Sequence, residues 1–105
     1  MITSGEGRYK VWLKSVDIGD DVVYLLGGGE QAHIGGVMIC EPGKSVQSIR
    51  LEGHYDYVVL EIIANKLCKK HQKTIVLLGG IHIDNATKDE IDRIIENCRR
   101  LQECI

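Results

Sequence analysis

The sequence predicts an α/β (α+β) two-layer sandwich, in which two helices cover one face of a mixed, mostly antiparallel sheet. Three observations predict it. Residues 74–78, TIVLL, are wholly apolar but for the threonine, and rich in β-branched side chains, as in a strand covered on both faces. Two segments of helical period, residues 55–71 and the stretch from Thr87, flank that strand. The first half of the chain is made of short apolar runs parted by turn residues, the pattern of antiparallel hairpins. The order is β-β-β-β-α-β-α, in a single domain over residues 1–105.

Residues 9–16 alternate, with Tyr9, Val11 and Leu13 on one face and Lys10, Trp12 and Lys14 on the other. A turn over 17–21, holding Gly19, joins this strand to a second over 22–26, and the two form a hairpin. Gly27, Gly28 and Gly29 open a loop that runs to His33, and a third strand covers 34–40. Glu41, Pro42, Gly43 and Lys44 form a turn before a weaker strand over 46–51. Gly53 and His54 lead into the first helix, whose apolar stripe is Val58, Val59, Ile62, Ile63 and Leu67. Asp56 in its first turn and Lys69, Lys70 and His71 in its last suit the helix dipole, which makes His71 a helix-end cation. The final helix starts at a capping box, Thr87 with Glu90, and its stripe is Ile91, Ile94, Ile95, Cys98 and Leu101.

The strand–helix–strand unit over 46–78 implies a parallel, right-handed crossover and places both helices on one sheet face. The opposite face is left open. Val37, Met38 and Ile39 in succession make the third strand apolar on both faces, so that open face needs a cover, and a homodimer is the simplest.

Composition narrows the function. The chain carries a net charge of −2 with no basic arm or patch, which argues against nucleic acid. No apolar run approaches the roughly 20 residues that span a membrane, and MITSGEGRYK lacks the apolar core of a signal peptide. A cytoplasmic protein is expected. Cys40, Cys68, Cys98 and Cys104 form no C-x-x-C pair, so buried thiols acting as small hydrophobes are expected rather than a zinc site.

The polar residues with chemical reach cluster beside glycines. His33 follows the glycine loop, His54 follows Gly53 at a helix start, and His82 follows Gly79 and Gly80 where a strand gives way to a helix. Ligands in open α/β sheets sit outside the carboxyl ends of strands, which singles out His82, Asp84 and Asn85. Imidazole binds phosphate, metal or a flavin edge near neutral pH. The Gly27–Gly29 run offers backbone N–H groups to a phosphate, as a nest does, but it lacks the Lys-Ser/Thr of a P-loop and precedes no helix, so a flexible hairpin connection is the preferred reading. The helix starts at His54 and Thr87 offer a positive dipole end to the same kind of group. Asp84 and Glu30 are candidates to orient or protonate a ligand, with Asp84 as a plain turn residue the structural alternative. A metal site of His33, His54, His82 and Asp84 is not signalled by spacing. No nucleophile–base pair is legible.

Three stretches, GGGEQAHIGGV, GHYDYVVLEIIANKL and TIVLLGGIHIDNATKDEIDRIIENCRRL, together resemble the LpdD-like family. That family is related to the D subunit of gallate and phenolic acid decarboxylases and is described as a prenylated-flavin chaperone domain. The resemblance runs from about Trp12 to Leu101. It is carried by Glu30, His33, Ile34 and Gly35, by the Gly53-His54 junction, and by Gly80 to Asn85. It implies a small accessory protein that binds prenylated FMN, or FMN, or the apo-enzyme, and assists a UbiD-type aromatic acid decarboxylase. The positions that match the family motif are Glu30, His33, Gly53, His54, His82, Asp84 and Asn85. The resemblance points to His54 and His82 meeting phosphate or flavin, with His33 lining the same pocket. The family is also distantly similar in fold to proteasome-assembly chaperones, which implies a dimer-forming α/β sandwich. The competing classes are a protein-interaction module of that fold without cofactor, and a small enzyme working through its histidines.

Overall fold

The computed structural model describes residues 1–51 and 57–105. Its strands are β1 (Ile2–Ser4), β2 (Val11–Ile18), β3 (Asp21–Gly28), β4 (Gln31–Cys40), β5 (Gln47–Arg50) and β6 (Ile75–His82); its helices are α1 (Tyr57–Lys70) and α2 (Lys88–Glu103). A single 3-10 turn, Gly7–Tyr9, precedes β2. The α+β class and both helices on one face agree with the sequence. The short β1 is new. Its three residues pair antiparallel with the β2 edge, Ile2 opposite Leu13, and are too few to leave a periodic signal.

The strands lie in the order β1-β2-β3-β6-β4-β5. β6 pairs parallel with β3 and antiparallel with β4. The successive strands β3 and β4 are therefore not neighbours, because β6 is inserted between them. β5 and β6 do run in the same direction, but β4 separates them.

Alternation along the strands builds the core. Leu13, Leu26, Met38, Ile75 and Leu77 point to the helices and are buried. They meet Val59, Leu60, Ile63, Ala64 and Leu67 of α1 and Ile94, Cys98 and Leu101 of α2. Fully burying each such aliphatic side chain contributes about 2 kcal/mol. Two stripe positions differ from expectation: Val58 and Ile91 are 36% and 48% exposed, at the solvent margins of their helices. The α2 start is a complete capping box, with Glu90 N–H donating to Thr87 Oγ1 and Thr87 N–H to Glu90 Oε1. Tyr9 Oη donates to Glu90 Oε2 at 3.0 Å, and Arg8 stands 3.3 Å from the same oxygen. These contacts hold the carboxyl of Glu90 below its ordinary value, led by the Thr87 backbone N–H and then the tyrosine.

Two expectations are corrected. Cys40 and Cys68 are joined in a disulfide rather than standing as free thiols, because the end of β4 packs on the last turns of α1 with Cα atoms 5.9 Å apart. Cys98 is a buried thiol and Cys104 an exposed one. His71 is not a helix-end cation. Its ring stacks on Tyr24, with Nε2 3.3 Å from the tyrosine hydroxyl. Desolvation, reinforced by Lys73 and Lys70, pushes its pKa down and favours the neutral form.

Candidate functional site

The carboxyl end of β6 passes beneath a glycine arch. β3 runs through Gly28 and β4 begins at Gln31, so only Gly29 and Glu30 connect them across the inserted strand. Gly29 bridges His82 on one side and Gln31 pairs with it on the other. Glu30 N–H donates to the His82 carbonyl at 2.9 Å, and Gly29 N–H donates to the Lys10 carbonyl at 3.0 Å. The arch needs glycine: Gly28 and Gly29 have φ of +144° and +72°, and a Cβ on Gly29 would stand 2.6 Å from the His82 carbonyl oxygen. The stretch is therefore neither the long loop nor the phosphate nest that the glycine run suggests, since both N–H groups at its centre are spent within the fold.

Beside the arch, β4 bulges. Ala32 pairs with Ile81 and Gly36 with Gly79, so His33, Ile34 and Gly35 stand opposite Gly80 alone. The bulge re-aims His33, and the His33 and His82 rings lie with centroids 5.6 Å apart. His82 Nε2 is 2.7 Å from Asp84 Oδ1. An ionised carboxylate only accepts, so the Nε2 proton points at Asp84, and Nδ1 is the nitrogen left for another partner when the ring is neutral. His82 and Asp84 are 45% and 77% exposed, so this pair is open to solvent. Asn85 follows with φ +51°, a left-handed turn that Asn tolerates, and it carries the chain from β6 toward the Thr87 cap.

Of the residues singled out in sequence, His33, His82 and Asp84 come together. Glu30 contributes its backbone, while its carboxylate turns away to Arg8 at 2.7 Å. Asn85 shapes the turn. Gly53 and His54 lie outside the described residues. The Thr87 helix start offers little to a phosphate, because its cap occupies it and Asp89 and Glu90 make it acidic. No group of three or more metal-ligating side chains occurs among the described residues.

Two contributors escape sequence inspection. Trp12 lays its indole over Gly27, where a Cβ would stand 2.2 Å from the ring; Gly27 thus makes room for the indole. Arg8 joins Glu30 to Glu90, a contact between residues far apart in the chain with no local signature. Gly36, at the end of the bulge, leaves room for its neighbours: a Cβ there would stand 3.0 Å from the Ile49 carbonyl oxygen and from Leu60 Cδ1.

The cluster sets two adjacent imidazoles, one hydrogen-bonded to a carboxylate, at a strand end beside glycine backbone. A family model described as the prenylated flavin chaperone LpdD-like domain matches residues 5–105. The chain belongs to this family. No curated protein matches it. The LpdD-like match takes in every element from the 3-10 turn to α2, so arch, bulge and histidine pair all lie within it. Of the residues singled out from the sequence, His33, His82, Asp84, Asn85 and the Glu30 backbone lie around the end of β6. No helix among the described residues is long and apolar enough to cross a membrane.

Proposed function

We propose that this chain is a single-domain accessory protein that binds prenylated FMN, or FMN, and assists a UbiD-type aromatic acid decarboxylase in the cytoplasm. It is a carrier or chaperone rather than the enzyme, and it works as a homodimer. The observation that supports this most is the His33–His82–Asp84 cluster at the end of β6, held by arch and bulge in a chain of the prenylated flavin chaperone family. The flavin, when bound, supplies the electron chemistry that the decarboxylase uses. This chain's residues only hold it: His33 and His82 meet the ring or its phosphate, Asp84 orients His82, and Asn85 and the Glu30 backbone fix the frame around them. Gly53 and His54 belong to the same proposed site through the family motif.

The test is an anaerobic calorimetric titration with reduced prenylated FMN and with FMN. Saturable binding that weakens about tenfold or more in His82→Ala and His33→Ala is expected, the loss of a charge-assisted contact being about 1.5–3 kcal/mol. Absence of binding by either flavin sinks the cofactor reading. It then favours a protein-interaction module with a proteasome-assembly-chaperone-like fold, a reading that the apolar sheet face supports and that capture of purified apo-decarboxylase tests.

A further inference from the structure

A phosphate group carries about two negative charges at pH 7 and is held by available backbone N–H groups, guanidinium or ammonium. Around the end of β6 the described groups of that kind are engaged or outnumbered. Gly29 N–H and Glu30 N–H donate to the carbonyls of Lys10 and His82. At the start of α2, Glu90 N–H donates to Thr87 Oγ1 and Thr87 N–H to Glu90 Oε1. The Arg8 guanidinium lies between two carboxylates, 2.7 Å from Glu30 and 3.3 Å from Glu90. Residues 6–10, 30 and 84–90 frame this end of the sheet, and in them carboxylates outnumber lysine and arginine by five to three. His82 does not reverse that balance, because its Nε2 stands 2.7 Å from Asp84 Oδ1. A proton gained by the ring brings the pair only to zero charge.

What the cluster does offer is an acceptor. With the Nε2 proton turned to Asp84, the neutral His82 ring presents Nδ1 to an N–H or O–H donor, and a phosphate dianion has no proton to give. A flavin carries such donors only in its uncharged part, on the ring edge and the ribityl chain. The His33 ring stands beside this acceptor, with centroids 5.6 Å apart and planes inclined by 46°. We infer that the His33–His82 cluster recognises the uncharged part of the flavin, with His82 Nδ1 as the acceptor, and that the flavin's phosphate is held away from it. This assignment rests on the flavin reading proposed above and fixes which part of the ligand the cluster reads. His82 is then a specificity-determining residue for the heterocycle and its chain, and Asp84 a positioning residue that keeps the proton on Nε2.

Ligand pairs that differ only by the phosphate test it. FMN with riboflavin, and reduced prenylated FMN with its dephosphorylated form, are titrated anaerobically into the wild type, His82→Ala and Asp84→Asn by calorimetry. His82→Ala is expected to weaken both members of a pair by the same factor, so their affinity ratio stays within about twofold of the wild type. Asp84→Asn keeps the size of the side chain and is expected to hold the ratio in the same range; it decides if His82→Ala fails to fold. A ratio in favour of the phosphorylated flavin that falls about tenfold in His82→Ala, or rises about tenfold in Asp84→Asn, puts the phosphate at the cluster and overturns the inference. Inorganic phosphate gives a second readout that needs no flavin. At millimolar concentration it is expected to leave the imidazole NMR signals of His33 and His82 unmoved, and a saturable shift of either overturns the inference. If neither member of either pair binds, the flavin reading falls and this assignment with it, whereas a changed ratio defeats the assignment alone.

Discussion

Replacing Gly29 by alanine tests whether the arch holds the end of β6. Gly29 has φ +72°, and a left-handed alanine costs about 1–2 kcal/mol, of which about 0.5 kcal/mol is offset by a stiffer unfolded chain. The new Cβ would also stand 2.6 Å from the His82 carbonyl oxygen and 2.9 Å from Ile81 Cγ2. That carbonyl cannot swing aside without losing the Glu30 N–H, a loss of about 1 kcal/mol. The expected destabilisation is about 1.5–2.5 kcal/mol by these terms. Gly43 is the control: its φ is +74° and nothing lies within 4 Å of its Cβ position, so Gly43→Ala carries the backbone cost alone, about 1 kcal/mol. Urea unfolding followed by circular dichroism gives both values, and flavin titration reports whether His82 has moved. Equal losses at the two positions would refute the arch as a support of the site.

Other perturbations have equally definite outcomes. Thr87→Ala removes the α2 capping box and should lower urea stability by about 1 kcal/mol, with flavin binding unchanged. Breaking the Cys40–Cys68 disulfide, with Cys40→Ser and Cys68→Ser together or with a reductant, frees a 28-residue span; chain entropy puts the loss at about 3–4 kcal/mol, and an unchanged melting temperature would count against the bridge. His71 has a folded-state pKa below its ordinary 6.5, so the unfolded chain binds the extra proton. Stability should therefore rise with pH across 6.5 and decline as pH falls toward the lowered value. Urea midpoints at a series of pH values check this, and His71→Gln should flatten the slope.

Elements with strong local patterns were legible in the chain. Thr87 and Glu90 announce α2, and the alternation of Val11, Trp12 and Leu13 announces β2, because capping and pleating are decided within a few residues. Topology was less so. Nothing local in β3 or β4 reveals that β6 enters between them; that choice is made by contacts across some fifty residues. The same distance explains the site. His82 and Asp84 are two residues apart and could be found together, whereas His33 joins them only through the β4 bulge, and Glu30 spends its carboxylate on an Arg8 that no motif marks. Cys40 and Cys68 meet through helix-on-sheet packing, which spacing alone cannot show. His71 follows a helix end, which suggests a cation, whereas burial beside Tyr24 and the neighbouring Lys73 and Lys70 favour the neutral ring.

The late position of β6 in the chain constrains how the protein can be made. Until residue 82 leaves the ribosome, the sheet is two fragments, β1-β2-β3 and β4-β5, each with a long apolar edge strand and no partner. Exposed edges of this kind recruit other chains, and pairing over such separations is slow. The arch must also close around a strand that arrives after both of its pillars. Nascent chains halted before β6 are therefore the species most prone to aggregate, and synthesis of this protein carries its greatest hazard just before its central strand appears.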